Sequence, residues 1–170
     1  MQLHVDSDAA YLVAPKARSR IAGYYNFPNR IHKSTALPEI NHPILIECKT
    51  LRHVVTSAAE AETAALFHNA QTILPLRRIL RSLGHEQKPT RIKTDNSVAN
   101  GFVHNNIHLR RSKTWDMRYY SLRDNEEKGN INVYWKHGKD EKDPNRGDYH
   151  TKRHNAIHHQ GVRNTYVFDG

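Results

Sequence analysis

Three strand-like segments come before the first helix signal in this chain, and helices alternate with single strands after it. That order confines the fold more than any other feature of the sequence. Gln2–Val5 alternates polar and apolar residues just ahead of Asp6 and Asp8, as a short strand ending at a polar site would. Ile21–Phe27 is aromatic enough for a second strand and is closed by Pro28; a loop-like stretch from Asn29 to Pro43 then leads to a third, Ile44–Lys49. Thr56 and Ser57 are cap candidates, and Glu60, three residues past Ser57, completes a capping-box pattern. Leu66, Ala70 and Ile73, then Leu76, Leu80 and Leu83, recur at helical spacing; Pro75 between them predicts a kink or a split, and Gly84 a stop. Thr90–Thr94 is a strand that delivers Asp95, Asn96–Asn105 is helical, Ser112–Lys128 is an amphipathic helix, and Ile131–Lys136 is the last strand. The expected architecture is therefore a mixed α/β domain, three antiparallel strands leading into parallel ones.

With 170 residues, 37% of them hydrophobic, and a mean hydropathy of −0.82, the chain can bury one modest core beneath a very polar surface. We expect one domain over residues 1–153 and a basic, His-rich tail, poorly ordered, over 154–170. Lys and Arg number 26 against 17 Asp and Glu, a formal charge of +9, which favours a polyanionic partner. Arg110, Arg111, Lys113 and Arg118 are interleaved with Trp115, Tyr119 and Tyr120, a pattern that suits tracking a nucleic-acid backbone and equally suits a solvated helix with its aromatics in the core. Cys48 is the only cysteine, which excludes an intramolecular disulfide and any zinc site needing two thiolates. No run of 18 apolar residues occurs and the start MQLHVDSDAA lacks the shape of a signal peptide, so the expectation is a soluble intracellular protein with no membrane partner.

Acidic residues stand out in so basic a chain where they sit at strand ends or helix starts: Asp6 and Asp8, Glu60 and Glu62, Asp95, and Asp148. Three or four carboxylates from separate elements can hold two hard divalent cations, since Mg²⁺ prefers oxygen ligands in octahedral array. The competing explanation is ordinary: an Asp after a strand forms turns, Glu60 caps a helix, and Asp148 lies in a charged loop.

Five blocks carry a family resemblance, in one order from about Leu3 to Lys152: SDAAYLVAPKARSRIAGYYNF, VVTSAAEAETAALFHNA, PTRIKTDNSVANG, SKTWDMRYYSLRD and GDYHTK. Together they resemble the ribonuclease H domain of copia-type retrotransposon Pol polyproteins. The resemblance implies a ribonuclease H-like fold, a five-stranded mixed sheet flanked by helices. It implies a metal-dependent endonuclease that cuts the RNA strand of RNA–DNA hybrids, using two Mg²⁺ ions, with Mn²⁺ as a substitute. Carried over by position, it points to Asp6, Glu62, Asp95 and Asp148 as catalytic metal ligands, with Asp8 the alternate to Asp6 and Glu60 the alternate to Glu62.

The implied partners are an RNA–DNA hybrid and, in an intact polyprotein, a reverse transcriptase domain; the implied location is the cytoplasm or a virus-like particle, with the nucleus as alternative. His137 precedes Asp148 where cellular ribonucleases H place a mobile histidine, although DEKDPNR reads as an insertion there. His150, His154 and His158 recur every four residues, a spacing at which imidazoles on a helix can share a metal, but no thiol or acid completes such a site. Thr63, His150 and the long loop before Asp148 depart from the family pattern. They raise the alternative of a degenerate or domesticated domain that binds nucleic acid without cutting it.

Overall fold

The computed structural model describes residues 1–28, 43–104, 113–138 and 144–166, with the backbone alone at 113–116 and 164–166. Strands β1 (His4–Ala14) and β2 (Arg18–Asn26) form an antiparallel hairpin, and β3 (Pro43–Thr50) pairs antiparallel with the far side of β2. On the other side of β1, β4 (Thr90–Thr94) and then β5 (Ile131–Trp135) add in parallel, so the sheet order is β3-β2-β1-β4-β5. The helices are α1 (Ala58–Ser82), α2 (Ser97–Val103), α3 (Lys113–Glu127), α4 (Asp148–Thr151) and α5 (Ala156–Tyr166). This is the expected five-stranded mixed sheet with helices around it.

Three expectations need correction. The first strand is not a short one ending before the aspartates: β1 runs from His4 to Ala14, so Asp6 and Asp8 lie inside it and, two residues apart, share one face. A buried acid reads as a strand end, but cations on the neighbouring elements make it tolerable here, as described below. The helix does not split at Pro75: α1 continues through it because Ile73 on one side and Leu80 on the other are both buried in the same core. The tail is helical over 156–166. The His154 ring stacks on Tyr149 and on His158, each pair with centroids 4.5 Å apart, and the Tyr149 hydroxyl meets His159 Nδ1, so aromatic contacts tie α5 to α4.

Local chemistry sets the helix ends. Ser57 caps α1 by accepting the Glu60 N–H at 3.1 Å, and the Glu60 carboxylate accepts from the Thr56 N–H and hydroxyl at 2.6 and 2.8 Å. At the other end the His85 N–H donates to Leu80 C=O around Gly84. Asn96 caps α2 by accepting the Ala99 N–H.

Leu66, Ala70, Ile73 and Leu80 of α1 join Val5, Ile92, Ile131 and Val133 of the sheet, and Ala99, Val103 and Leu122 of α2 and α3, in one core. Each fully buried aliphatic side chain there contributes about 1.5–3 kcal/mol. Odd-numbered β1 residues face this core, so Asp6 and Asp8 face the opposite side, where α4 lies over β1 and β2. Tyr119 and Leu122 of α3 are buried, as its amphipathic pattern predicts, while Tyr120 is exposed. Among the described residues no helix is long and apolar enough to cross a membrane.

Candidate active site

At the carboxyl end of the parallel strand pair, one carboxylate oxygen from each of Asp8, Asp95 and Asp148 lies within 4.8 Å of the others. The backbone explains the meeting. Asp6 pairs in parallel with Lys93, which sets Asp8 of β1 level with Asp95, the residue just past β4. Asp148 opens α4 on the face where Asp8 points, and the Thr151 hydroxyl, one turn on, donates to Asp8 Oδ2.

Glu62, in the first turns of α1, reaches the same place from the other side of β1. Its Oε1 accepts the Ala9 N–H at 3.1 Å, and its Oε2 is buried with no hydrogen-bond partner. Glu60, in contrast, is committed to the Thr56 cap, so of this pair it is Glu62 that faces the acidic cluster.

The electrostatics record an unmet demand for positive charge. Burial, then the neighbouring charges of Asp8 and Asp95, raises the Glu62 pKa well above the ordinary carboxylate range. Asp8 is pushed from 3.8 up to about 6, chiefly by burial; the Thr151 hydroxyl opposes the rise, and Asp148 and Asp95 add to it. Asp95 is raised by burial and by Asp148, with Lys152 and His137 pulling the other way. The Lys152 ammonium contacts Asp148 Oδ1, where it offsets part of the repulsion. Clustered carboxylates of raised pKa around an orphaned, buried carboxylate oxygen are what a divalent cation with oxygen ligands would relieve.

Asp6 was the expected first-strand ligand, with Asp8 as its alternate; of the two it is Asp8 that the structure brings to Asp95 and Asp148. Asp6, nearer the middle of the sheet, is fully buried and faces Lys93 Nζ at 3.2 Å, with His4 Nδ1 at 3.6 Å. Both acids lie inside β1 and share one face, and what separates them is the partner each meets: Lys93 for Asp6, Asp95 and Asp148 for Asp8.

Sequence reasoning also missed Gly138 and Trp135. A Cβ on Gly138 would lie 2.5 Å from Asp95 Oδ2 and 3.2 Å from Asp95 Cβ, so a side chain there would push into Asp95. The Trp135 indole N–H donates to Asp95 C=O at 3.0 Å and holds the backbone of that residue. The WKHG run carries this information, but nothing in it names Asp95 as the neighbour.

Two chains of known structure show how far the likeness extends. The N-terminal ribonuclease H domain of a Mycobacterium tuberculosis protein, solved as a fusion with maltose-binding protein, superposes with a TM-score of 0.58 at 10% identity, over 96% of this chain and 98% of that one. A ribonuclease H1 isolated from compost, in complex with RNA/DNA hybrid, gives 0.56 at 11% identity, over 87% and 92%. The chain has a ribonuclease H fold. A foamy-virus ribonuclease H domain in solution shares the fold too, at a TM-score of 0.50, 13% identity and 88% of both chains. No protein-family model and no curated protein matches the sequence.

On this ribonuclease H fold the remaining expected positions fall as follows. Arg118 Nη1 donates to His53 Nε2 at 2.9 Å, lying across from the start of α1 rather than free on the surface. Lys113 is the first residue of α3, and Arg110 and Arg111 lie outside the described residues. His137 packs edge-on against Trp135 and is close enough for its charge to act on Asp95. The three tail histidines do not converge as metal ligands: His150 stacks on Tyr24, His154 and His158 stack on each other, and α4 ends before α5 begins. Among the described residues the Asp8, Asp95 and Asp148 trio is the group arranged to hold an ion.

Proposed function

We propose that this chain is a divalent-metal-dependent endonuclease that hydrolyses the RNA strand of RNA–DNA hybrids, and that it is part of, or derived from, a copia-type retrotransposon Pol polyprotein. One observation carries the enzymatic half: Asp8, Asp95 and Asp148 converge, with Glu62 buried behind them, on a ribonuclease H fold. The retrotransposon half is supported by the five ordered sequence blocks and would make a reverse transcriptase domain its neighbour.

Asp8, Asp95 and Asp148 would hold Mg²⁺, and the buried Oε2 of Glu62, which has no hydrogen-bond partner, would supply a fourth oxygen. When bound, such ions supply a water of lowered pKa and positive charge for the scissile phosphate and the leaving oxygen. The chain's own residues do the rest. Ala9 N–H orients Glu62, Trp135 fixes the Asp95 backbone, and Thr151 fixes one oxygen of Asp8, so the carboxylates are arranged before substrate arrives. The acidic centre sits in a chain of net charge +9, and that surrounding charge draws in the hybrid that the carboxylates alone would repel. Selection of the RNA strand would follow from contacts with 2′-hydroxyls in the minor groove, with little dependence on sequence.

The test is cleavage of an end-labelled RNA–DNA hybrid in Mg²⁺, with duplex DNA and single-stranded RNA as controls. The parent should cut only the RNA strand of the hybrid. Asp95→Asn should lose about 10³-fold or more in rate while still binding the hybrid. A parent that binds but never cuts, in Mg²⁺ or Mn²⁺, would reject the enzyme and leave a binding module.

A further inference from the structure

Asp6 was expected to be a ligand, yet it is completely buried two residues short of the site, against a buried lysine. A buried ion pair is costly to form, so what else it holds is informative. Lys93 Nζ donates to Pro144 C=O at 2.9 Å. Asp6 Oδ2 accepts the Arg146 N–H at 3.2 Å, with Arg146 Nη1 at 3.9 Å. Between them, Asn145 is itself buried: its Nδ2 donates to Ser7 C=O at 2.9 Å and its Oδ1 accepts the Gly147 N–H at 3.1 Å. Gly147 then passes so close to β1 that a Cβ would stand 3.0 Å from both Asp6 C=O and Asp8 Cβ. The next residue is Asp148, whose N–H donates to Asn145 C=O at 3.2 Å.

We propose that Asp6 and Lys93 form a positioning clamp: they hold Pro144–Gly147 flat against β1 and so set the distance of Asp148 from Asp8 and Asp95. The inference rests on the reading of Asp148 as a metal ligand. It adds a role for two residues outside the Asp8, Asp95 and Asp148 trio. The short helix α4 cannot place Asp148 unaided. It has four residues, and its Gly147 cap makes no side-chain hydrogen bond; Thr151 on Asp8 and His150 on Tyr24 hold its far end, and the polar contacts just before it register the end that carries Asp148.

The test replaces the whole pair, Asp6→Leu with Lys93→Leu, because removing one partner alone would leave a buried charge unpaired, whereas replacing both by apolar groups is often tolerated. Asn145→Ala, which cuts a tether and leaves the ion pair intact, is the second variant should the leucine pair fail to fold. Amide hydrogen exchange of the full chain, without metal, should show residues 145–148 losing protection in either variant while β1 and β4 keep theirs. Mn²⁺ binding by calorimetry should weaken by about tenfold or more, the scale typical of residues that orient metal ligands. Adding Asp148→Asn to either variant should then cost little further affinity.

Unchanged exchange at 145–148 in a folded variant would overturn the clamp. So would Mn²⁺ affinity equal to the parent's, or losses that simply multiply with that of Asp148→Asn, since a generally loosened fold would give independent effects. A parent that binds no Mn²⁺ and cuts no hybrid would instead bring down the nuclease proposal, and the exchange measurement would still decide whether Asp6 and Lys93 hold the segment.

Discussion

Asp8→Asn should make the metal-free protein more stable at neutral pH while abolishing the proposed cleavage of hybrids. The carboxyl of Asp8 is raised from 3.8 to about 6, mainly by burial. Each tenfold change in proton affinity is worth about 1.4 kcal/mol, so ionised Asp8 burdens the fold by about 3 kcal/mol. Because the folded value lies above the ordinary one, the native state binds more protons than the unfolded chain. The burden is therefore absent below about pH 4, grows as the pH rises through 6, and is constant beyond. Asparagine removes it but meets the Thr151 hydroxyl with a weaker acceptor, a loss of about 1 kcal/mol. The net gain near pH 7.5 is about 2 kcal/mol, which for a chain of this size moves the melting midpoint by about 4–8 °C.

The assay is thermal unfolding by circular dichroism of parent and variant in chelator, at about pH 4.5 and 7.5, repeated with excess Mg²⁺. The variant should gain at the higher pH only, and Mg²⁺ should reverse the order by stabilising the parent through binding. A variant less stable than the parent by the same amount at both pH values in chelator would refute the idea that charge repulsion, rather than packing, dominates this cluster.

Two further substitutions separate neighbouring roles. Glu60→Ala should cost about 1 kcal/mol of stability through the lost cap and leave cleavage intact, whereas Glu62→Gln should reduce cleavage by 10²-fold or more and stabilise the chelated protein, checked by the same melts and the hybrid assay. Gly138→Ala should displace Asp95 and weaken Mn²⁺ binding by about tenfold with little change in melting temperature, because the clash falls on the carboxylate and its Cβ rather than on the core.

Strands and helices with clear periodicity were legible in the sequence: Thr90–Thr94 and the α1 cap at Ser57 fall where expected. Asp95 and Asp148 were legible too, the first because a short alternating strand ends just before it, the second through the Gly-Asp-Tyr block. The choice between Asp6 and Asp8 was not. It depends on Lys93, which neutralises Asp6 from 87 residues along the chain and so allows the strand to continue through an acid. A one-dimensional pattern does not carry that pairing. The order of the tail was hidden for a related reason. Its composition is polar and basic, and its helix is secured by rings stacking on Tyr149 rather than by an apolar stripe.

The geometry also divides the site into parts of unequal rigidity. Asp8 stands on β1, Asp95 directly after the adjacent parallel β4, and Glu62 on a helix whose apolar face is in the core, so their separations are set by the same contacts that hold the domain together. Asp148 is different, since α4 contributes to neither core cluster and meets β1 through the Thr151–Asp8 hydrogen bond and β2 through the His150 ring on Tyr24. Mutual repulsion among clustered carboxylates acts on whichever member is least restrained, and here that is Asp148, with Lys152 as its local counterweight. The energetic cost of assembling the acids without metal therefore concentrates on α4. A cation that relieves it will tighten this element first, ahead of any change in the sheet, and order at 145–151 becomes the local measure of site occupancy.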